Sequence, residues 1–134
     1  MKSQEVEAAK VAVKHQLGFI TPLLQQQHEG QTRIRETLYL SGTDSIAFEI
    51  AYGQIIRAEL SRISYPLIYG HPRTEKTFLK VDKEGKIEVR YGNENAFTWE
   101  WASDPLTRKG THNLLMRFNQ ELPIAQALLI SRVG

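Results

Sequence analysis

The segment YGHPRTEK, which begins at Tyr69, carries the side chains in this chain that are best suited to acid–base chemistry or to anion binding. His71 stands two residues before Arg73 in this segment, and Tyr65 precedes it closely. An imidazole exchanges a proton near neutral pH, and a guanidinium binds anionic groups through a fixed set of N–H donors. The prolines and the glycine predict a loop, and loops often carry functional residues. One hypothesis is therefore a small-anion site or an enzyme active site in the 64–75 loop, and the alternative is an ordinary rigid Gly-His-Pro turn.

The histidine and cysteine content argues against a metal site. The four histidines are His15, His28, His71 and His112. No pair has a spacing that puts two ligands on one helix face, and the chain contains no cysteine. Asp82 and the triplet Glu88-Val89-Arg90 loosely resemble the acidic and Glu-x-Lys positions of metal-dependent nucleases, but arginine replaces the lysine and Asp82 lies in a predicted turn. A phosphate-binding glycine loop, a nucleophile elbow and a dinucleotide fingerprint are all missing, so we expect no metal, no cofactor and a binding protein rather than an enzyme.

A second group of candidate residues lies on segments in which apolar and polar residues alternate, as in a strand with one buried face. In RIRETLYL the aliphatic residues fall on one side, and Arg33, Arg35 and Tyr39 fall on the other. The ordinary interpretation is a solvated sheet face with cross-strand ion pairs, such as Arg35 with Glu49, each contributing under about 1 kcal/mol. The functional interpretation is a partner-binding face, because arginine and tyrosine are frequent among residues that anchor interfaces.

The segments KTFLKV and KIEVRY alternate in the same way and add further outward cations. Together with the loop, these segments give eight candidate binding residues: Arg33, Arg35, Tyr39, Tyr69, His71, Arg73, Lys80 and Arg90.

The segment NENAFTWEWA places Phe97, Trp99 and Trp101 at alternate positions, which suits either a ligand platform or the wall of a core. Each such ring can bury about 150–250 Å², worth at most about 4–6 kcal/mol, and exposure would forgo much of that gain. A nucleic-acid stacking platform needs cations on the same face, whereas the intervening residues are Thr98 and Glu100. We therefore expect these rings to form a core wall.

Three- and four-residue spacing of apolar side chains predicts an N-terminal helix over residues 4–20. We expect it to break near Gly18 and a short second helix to begin at Pro22, because proline suits the first turn of a helix but not its interior. A seven-residue repeat runs along the first helix: Val6, Val13 and Ile20. That repeat could pack against the sheet or against a second copy of the chain.

The remaining periodicities predict an α+β fold. The N-terminal helix is followed by an antiparallel meander sheet of five or six strands, in which residues 54–63 fit either a strand or a helix; we favour the strand. Thr111 and Pro123 are expected to begin C-terminal helices that pack on one sheet face. No linker interrupts the chain, so we expect a single α+β domain over residues 1–134.

Charge and hydropathy limit the class of protein. The formal net charge is +2, with 17 basic and 15 acidic residues that alternate locally, so a polyanion-binding stripe finds little support. No segment has the length and apolar character of a signal peptide or a membrane-spanning helix, and we expect a cytoplasmic protein. The favoured hypothesis is a non-catalytic binding or regulatory domain that engages a protein partner, as a homodimer. The alternatives are the small-anion site or enzyme in the 64–75 loop, and a nucleic-acid accessory protein that uses the basic sheet face.

Overall fold

The computed structural model describes residues 2–65, 72–95, 98–102 and 110–133. The two helices are α1 (Lys2–Gln27) and α2 (Thr111–Val133). The strands between them are β1 (Ile34–Tyr39), β2 (Asp44–Ala51), β3 (Gln54–Ser64), β4 (Arg73–Val81), β5 (Ile87–Asn95) and β6 (Thr98–Ala102). Each strand pairs antiparallel with its neighbour in sequence, which confirms the α+β class and the antiparallel meander. Among the described residues, no helix is long and apolar enough to cross a membrane.

The sheet has one covered face and one open face. Buried side chains alternate along the strands: Ile46, Phe48 and Ile50 of β2, for example, are at most 2% exposed. They belong to one apolar cluster with residues of both helices, among them Leu24 and Phe118. We call the side that contacts the helices the inner face and the opposite side the outer face. The two-residue period thus separates a buried side from a solvent-facing side, as the sequence predicts.

Helix α1 continues through Gly18 and Pro22, so the predicted division into two helices is wrong. A proline in a helix interior removes one backbone hydrogen bond and costs about 3 kcal/mol. Ile20 and Leu24, on either side of Pro22, are both 0% exposed. Burying two such side chains contributes about 1.5–3 kcal/mol each. Packing of the C-terminal half of α1 therefore outweighs the local preference of the proline, which itself lies exposed.

Helix α2 likewise runs through Pro123, so a single C-terminal helix replaces the several that the sequence predicts. Leu122 and Ala125 flank this proline, and both are 0% exposed. The physical reason is the same as in α1: the apolar stripe continues past the proline, and its burial holds the helix together across the missing hydrogen bond.

The seven-residue repeat of α1 packs within the chain. Val13 and Ile20 are 0% exposed, and Val6 is partly buried against the core. These residues are therefore unavailable to a second copy. The large apolar side chains that α1 does expose are Val11 and Phe19, each 58% exposed.

Residues 54–63 lie in strand β3, which confirms the strand favoured from the sequence. The strand also carries a bulge that the sequence did not predict. Glu49 lies opposite Arg57 whereas Ile50 lies opposite Ile55, so Ile56 is an extra residue on β3. One extra residue reverses the side of the sheet to which the following side chains point. Ile55 is accordingly buried, at 3% exposure, whereas Ile56, which alternation places inward, is only partly buried and lies on the outer face.

The aromatic segment is described only in part. Trp99 and Trp101 belong to β6, where their backbones pair with Glu94 and Gly92. Phe97 and the side chains of both tryptophans lie outside what the structure describes. The core wall therefore stays a prediction.

Candidate binding surface

The outer face carries more cations than anions. Seven basic residues lie on its strands or directly beside them: Arg33, Arg35, Arg57, Lys76, Lys80, Lys86 and Arg90. Counted in the same way, the acidic residues at positions of this face are Glu49, Glu59, Asp82, Glu88 and Glu94. The whole chain has a net charge of only +2, so this face holds the positive excess.

Glu49 is enclosed by two arginines. Arg33 Nη2 donates to Glu49 Oε2 at 3.0 Å, and Arg35 Nη2 lies 3.3 Å from Oε1, which is the cross-strand pair expected from the alternation. The hydrogen bond from Arg33, and then the positive charge of Arg35, lower the pKa of Glu49 despite its burial. The carboxylate is 13% exposed, whereas the two arginine side chains are 67% and 77% exposed. The surface that solvent meets here is therefore cationic.

A similar arrangement surrounds Phe78 at the centre of the face. Arg57 places its guanidinium carbon 5.0 Å from the centre of the Phe78 ring, within the range of a cation–π contact. Glu59, opposite Phe78 on β3, contacts Lys76 at 2.7 Å and Arg57 at 3.9 Å. Arg90 is the neighbour of Phe78 on β5. The second acidic residue of the face is thus also held by two cations, around a half-buried aromatic ring.

The structure brings five of the eight predicted binding residues to the outer face: Arg33, Arg35, Tyr39, Lys80 and Arg90. Tyr39 is 75% exposed on the edge strand β1, and Lys80 lies between Arg57 and Glu88. Arg73 begins β4, but its side chain is not described, and Tyr69 and His71 lie outside the described residues. The predicted loop site stays a prediction.

Sequence reasoning missed a row of charged residues on the inner face. Asp44, Arg62 and Glu75 are neighbours across β2, β3 and β4. Arg62 donates from Nε and Nη2 to the two carboxylate oxygens of Asp44, at 3.0 and 2.9 Å. Tyr91 Oη donates to Glu75 Oε1 at 2.8 Å. The signal was present in the sequence, because Asp44 and Glu75 each lie two residues before a buried residue of the same strand, at inward positions.

This charged row lies against α2. Arg62 Nη2 is 3.9 Å from Glu121 Oε1. Its hydrogen bond to Asp44 is the main cause that lowers the pKa of Asp44 and raises that of Arg62. Burial, followed by repulsion from Arg62, lowers the pKa of Arg117. The three negative charges, of Asp44, Glu75 and Glu121, nearly balance the two positive charges of Arg62 and Arg117. These residues join the end of the sheet to the helix rather than forming an open anion or cation site.

In the part of the chain that the structure describes, no group of three or more histidine, aspartate or glutamate side chains is placed to hold a metal ion. The candidate binding surface is the outer face, where exposed cations surround two acidic residues that are already paired. No protein-family model, curated protein or solved structure matches this chain.

Proposed function

We propose that this chain is a non-catalytic binding domain that engages an acidic protein surface through the outer face of its sheet. The observation that carries the proposal is the state of the acidic residues on that face. Glu49 and Glu59 are each already held by two cations, so they contribute little negative potential to an approaching partner. The cations around them remain accessible.

Three of these cations are uncommitted. Within the described residues, Lys80, Lys86 and Arg90 form no side-chain salt bridge or hydrogen bond, and all three are exposed. Phe78, which is half-buried, adds an aromatic ring beside Lys80 and Arg90. Tyr39 adds a 75% exposed ring on the edge strand β1 of the same face. Arginine and aromatic side chains in such a setting are the usual anchors of protein interfaces, and complementary charge speeds association.

A protein surface suits this face better than nucleic acid does. Nucleic-acid sites present a basic stripe from which acidic residues are absent, because each phosphate contact gains from an unopposed cation. Here Glu49 and Glu59 lie between the cations, and Glu88 is exposed beside Lys80. Mixed charge with a positive excess matches an acidic protein surface, which itself carries some cations.

The same charge distribution bears on the homodimer. Two outer faces brought together would set one positive excess against another, which is unfavourable. Self-association therefore belongs to the helix layer in our proposal, where Val11 and Phe19 are each 58% exposed on α1. Light scattering across a range of concentrations tests this part: a mass that stays that of one chain at high concentration contradicts it.

The sheet-face proposal can be tested with poly-L-glutamate as a probe of acidic polypeptide, followed by fluorescence anisotropy at low salt. Lys80→Glu and Arg90→Glu are each expected to weaken binding about fivefold, because each reverses one contact charge. Lys10→Glu on α1 is the matched control, since it makes the same charge change in the helix layer, where Lys10 lies 3.7 Å from Glu7, and it should change affinity little.

Two results would overturn the proposal. One is equal weakening by Lys10→Glu and Lys80→Glu, which would mean that only net charge matters. The other is tighter binding to poly(dT), with a steeper dependence on salt than that for poly-L-glutamate, because counterion release marks phosphate binding. That outcome would assign the face to nucleic acid.

A further inference from the structure

The turn between β2 and β3 has an unusual residue at its tip. Tyr52 and Gly53 both have positive φ, 56° and 77°, and they join the paired residues Ala51 and Gln54. This is the geometry of a two-residue hairpin turn that favours asparagine and glycine. A tyrosine in the left-handed region is an outlier, because its Cβ crowds the backbone.

Tyr52 gains nothing from burial to offset that strain. Its side chain is 90% exposed, so the ring does not contribute to the core. Strained backbone that is not explained by packing is found most often at ligand sites. The position of this ring therefore indicates a role outside the folded core.

A second irregularity lies beside the first. The bulge on β3 turns Ile56 out of the core, and Ile56 and Tyr52 both line a concavity of about 470 Å³ at this end of the outer face. Small-molecule sites typically have volumes of about 300–1,000 Å³ and a largely apolar lining with a few polar groups. Bulges commonly re-aim side chains next to functional sites.

Four cations line the same concavity: Arg57, Lys80, Lys83 and Lys86. Three acidic residues line it as well: Glu49, Asp82 and Glu88. Two of these acids are engaged elsewhere. Glu49 is held by two arginines, and Asp82 Oδ1 accepts the backbone N–H groups of Glu84 at 3.0 Å and Lys86 at 2.7 Å in the β4–β5 turn.

The balance of uncommitted charge in the concavity is therefore positive. The side chains of the three lysines make no salt bridge or hydrogen bond with any residue that the structure describes. They face the negative charges of Glu88 and Asp82, since backbone N–H donors do not cancel the charge of a carboxylate. We propose that this concavity binds a small anion that carries a planar aromatic ring, with the ring against Tyr52 and Ile56 and the anionic group among the lysines. This site shares Lys80 and Lys86 with the surface proposed to bind a protein partner, and it adds Tyr52 and Ile56, which the substitution of Tyr52 below tests separately.

The probe for the test is 8-anilinonaphthalene-1-sulfonate, an anion with a planar naphthalene ring whose fluorescence rises on binding. The uncharged N-phenyl-1-naphthylamine is its matched neutral probe. We expect one molecule of the anionic probe to bind each chain, and Tyr52→Asn to weaken binding at least about fivefold. The same substitution should raise Tm by about 2–5 °C, because asparagine suits the turn and no core contact is lost.

Two further variants make the result specific. Tyr39→Asn removes another exposed tyrosine, at the far edge of the outer face, and should leave the affinity for the probe unchanged. Lys86→Gln should weaken binding of the anionic probe while leaving that of the neutral probe unchanged. Displacement of the anionic probe by adenosine monophosphate but not by salicylate would indicate a nucleotide-type ligand. Displacement by salicylate but not by adenosine monophosphate would indicate an aromatic carboxylate. Either result supports the site. Equal binding by Tyr52→Asn and the unchanged chain, or equal binding of the charged and neutral probes, would overturn it.

Discussion

The continuity of α1 can be tested by replacing its two helix-breaking residues, Gly18 and Pro22, with alanine. Gly18 lies inside the helix with helical φ, and a Cβ added there meets no atom within 4 Å. Alanine is about 0.8–1.0 kcal/mol more favourable than glycine in a helix interior, so Gly18→Ala should raise the free energy of unfolding by about 1 kcal/mol. Pro22→Ala restores a backbone hydrogen bond and should add about 2 kcal/mol, after allowance for the stiffer unfolded chain that proline provides.

Urea unfolding followed by far-UV circular dichroism measures both changes. Each 1 kcal/mol should also appear as a rise in Tm of about 3–5 °C for a chain of this size. Gly53→Ala is the matched control. A Cβ on Gly53 also meets no atom within 4 Å, but its φ is +77°, so this substitution should lower stability by about 1 kcal/mol. Both glycines have room for a Cβ, but only Gly53 has a positive φ, so the two changes in the free energy of unfolding should have opposite signs.

A break in α1 would give a different result. If one helix ended near Gly18 and another began at Pro22, the proline would occupy the first turn, where it is favourable, and the glycine would lie in the connection. Both alanine substitutions would then leave stability unchanged or reduce it. That outcome, with the expected loss in Gly53→Ala, would refute the continuous helix and the packing argument that explains it.

Three further predictions concern buried and charged groups. Thr77→Val should stabilise the chain by about 1 kcal/mol, because Thr77 is 0% exposed and its hydroxyl has no hydrogen-bond partner among the described residues. The control Thr37→Val, at an exposed position, should change the free energy of unfolding little. A double-mutant cycle of Asp44→Ala and Arg62→Ala should give a coupling free energy of about 1–2 kcal/mol, which is larger than that of ordinary surface ion pairs. The reason is that two charge-assisted hydrogen bonds join the side chains and that Asp44 is only 13% exposed. A coupling under about 0.3 kcal/mol would contradict this. The folded-state pKa values of Asp44 and Glu49 are lowered, so both contribute stability above their ordinary pKa values near 4, and that stability is lost as the pH falls through the lowered values. Urea unfolding from pH 7 to 2 should show this fall, and Asp44→Asn with Glu49→Gln should make it shallower.

The meander could be predicted because strand alternation is a local signal. Ile46, Phe48 and Ile50 repeat every second residue, and each such side chain must lie on the same side of its strand. The same alternation predicted the cross-strand ion pair between Arg35 and Glu49, and the structure confirms it. The outer-face candidates followed from this reasoning, although their role in binding stays a prediction.

The helix ends were mispredicted because proline and glycine preferences are local, whereas helix stability is mostly tertiary. Nothing near Pro22 or Pro123 in the sequence reports that the apolar side chains beyond them fit the inner face of a sheet formed far along the chain. The bulge at Ile56 is also hidden from the sequence, because two consecutive isoleucines satisfy either register.

The sequence by itself determined the class of the fold and which strand residues face water, since the two-residue period follows from covalent geometry. The tertiary structure alone decided where that period is interrupted and which prolines a helix tolerates. It also decided that Tyr52 and Ile56 line one concavity with lysines of β4 and of the β4–β5 turn. Such convergence depends on strand register and on burial summed over many residues, and neither quantity is present in any short stretch of the chain.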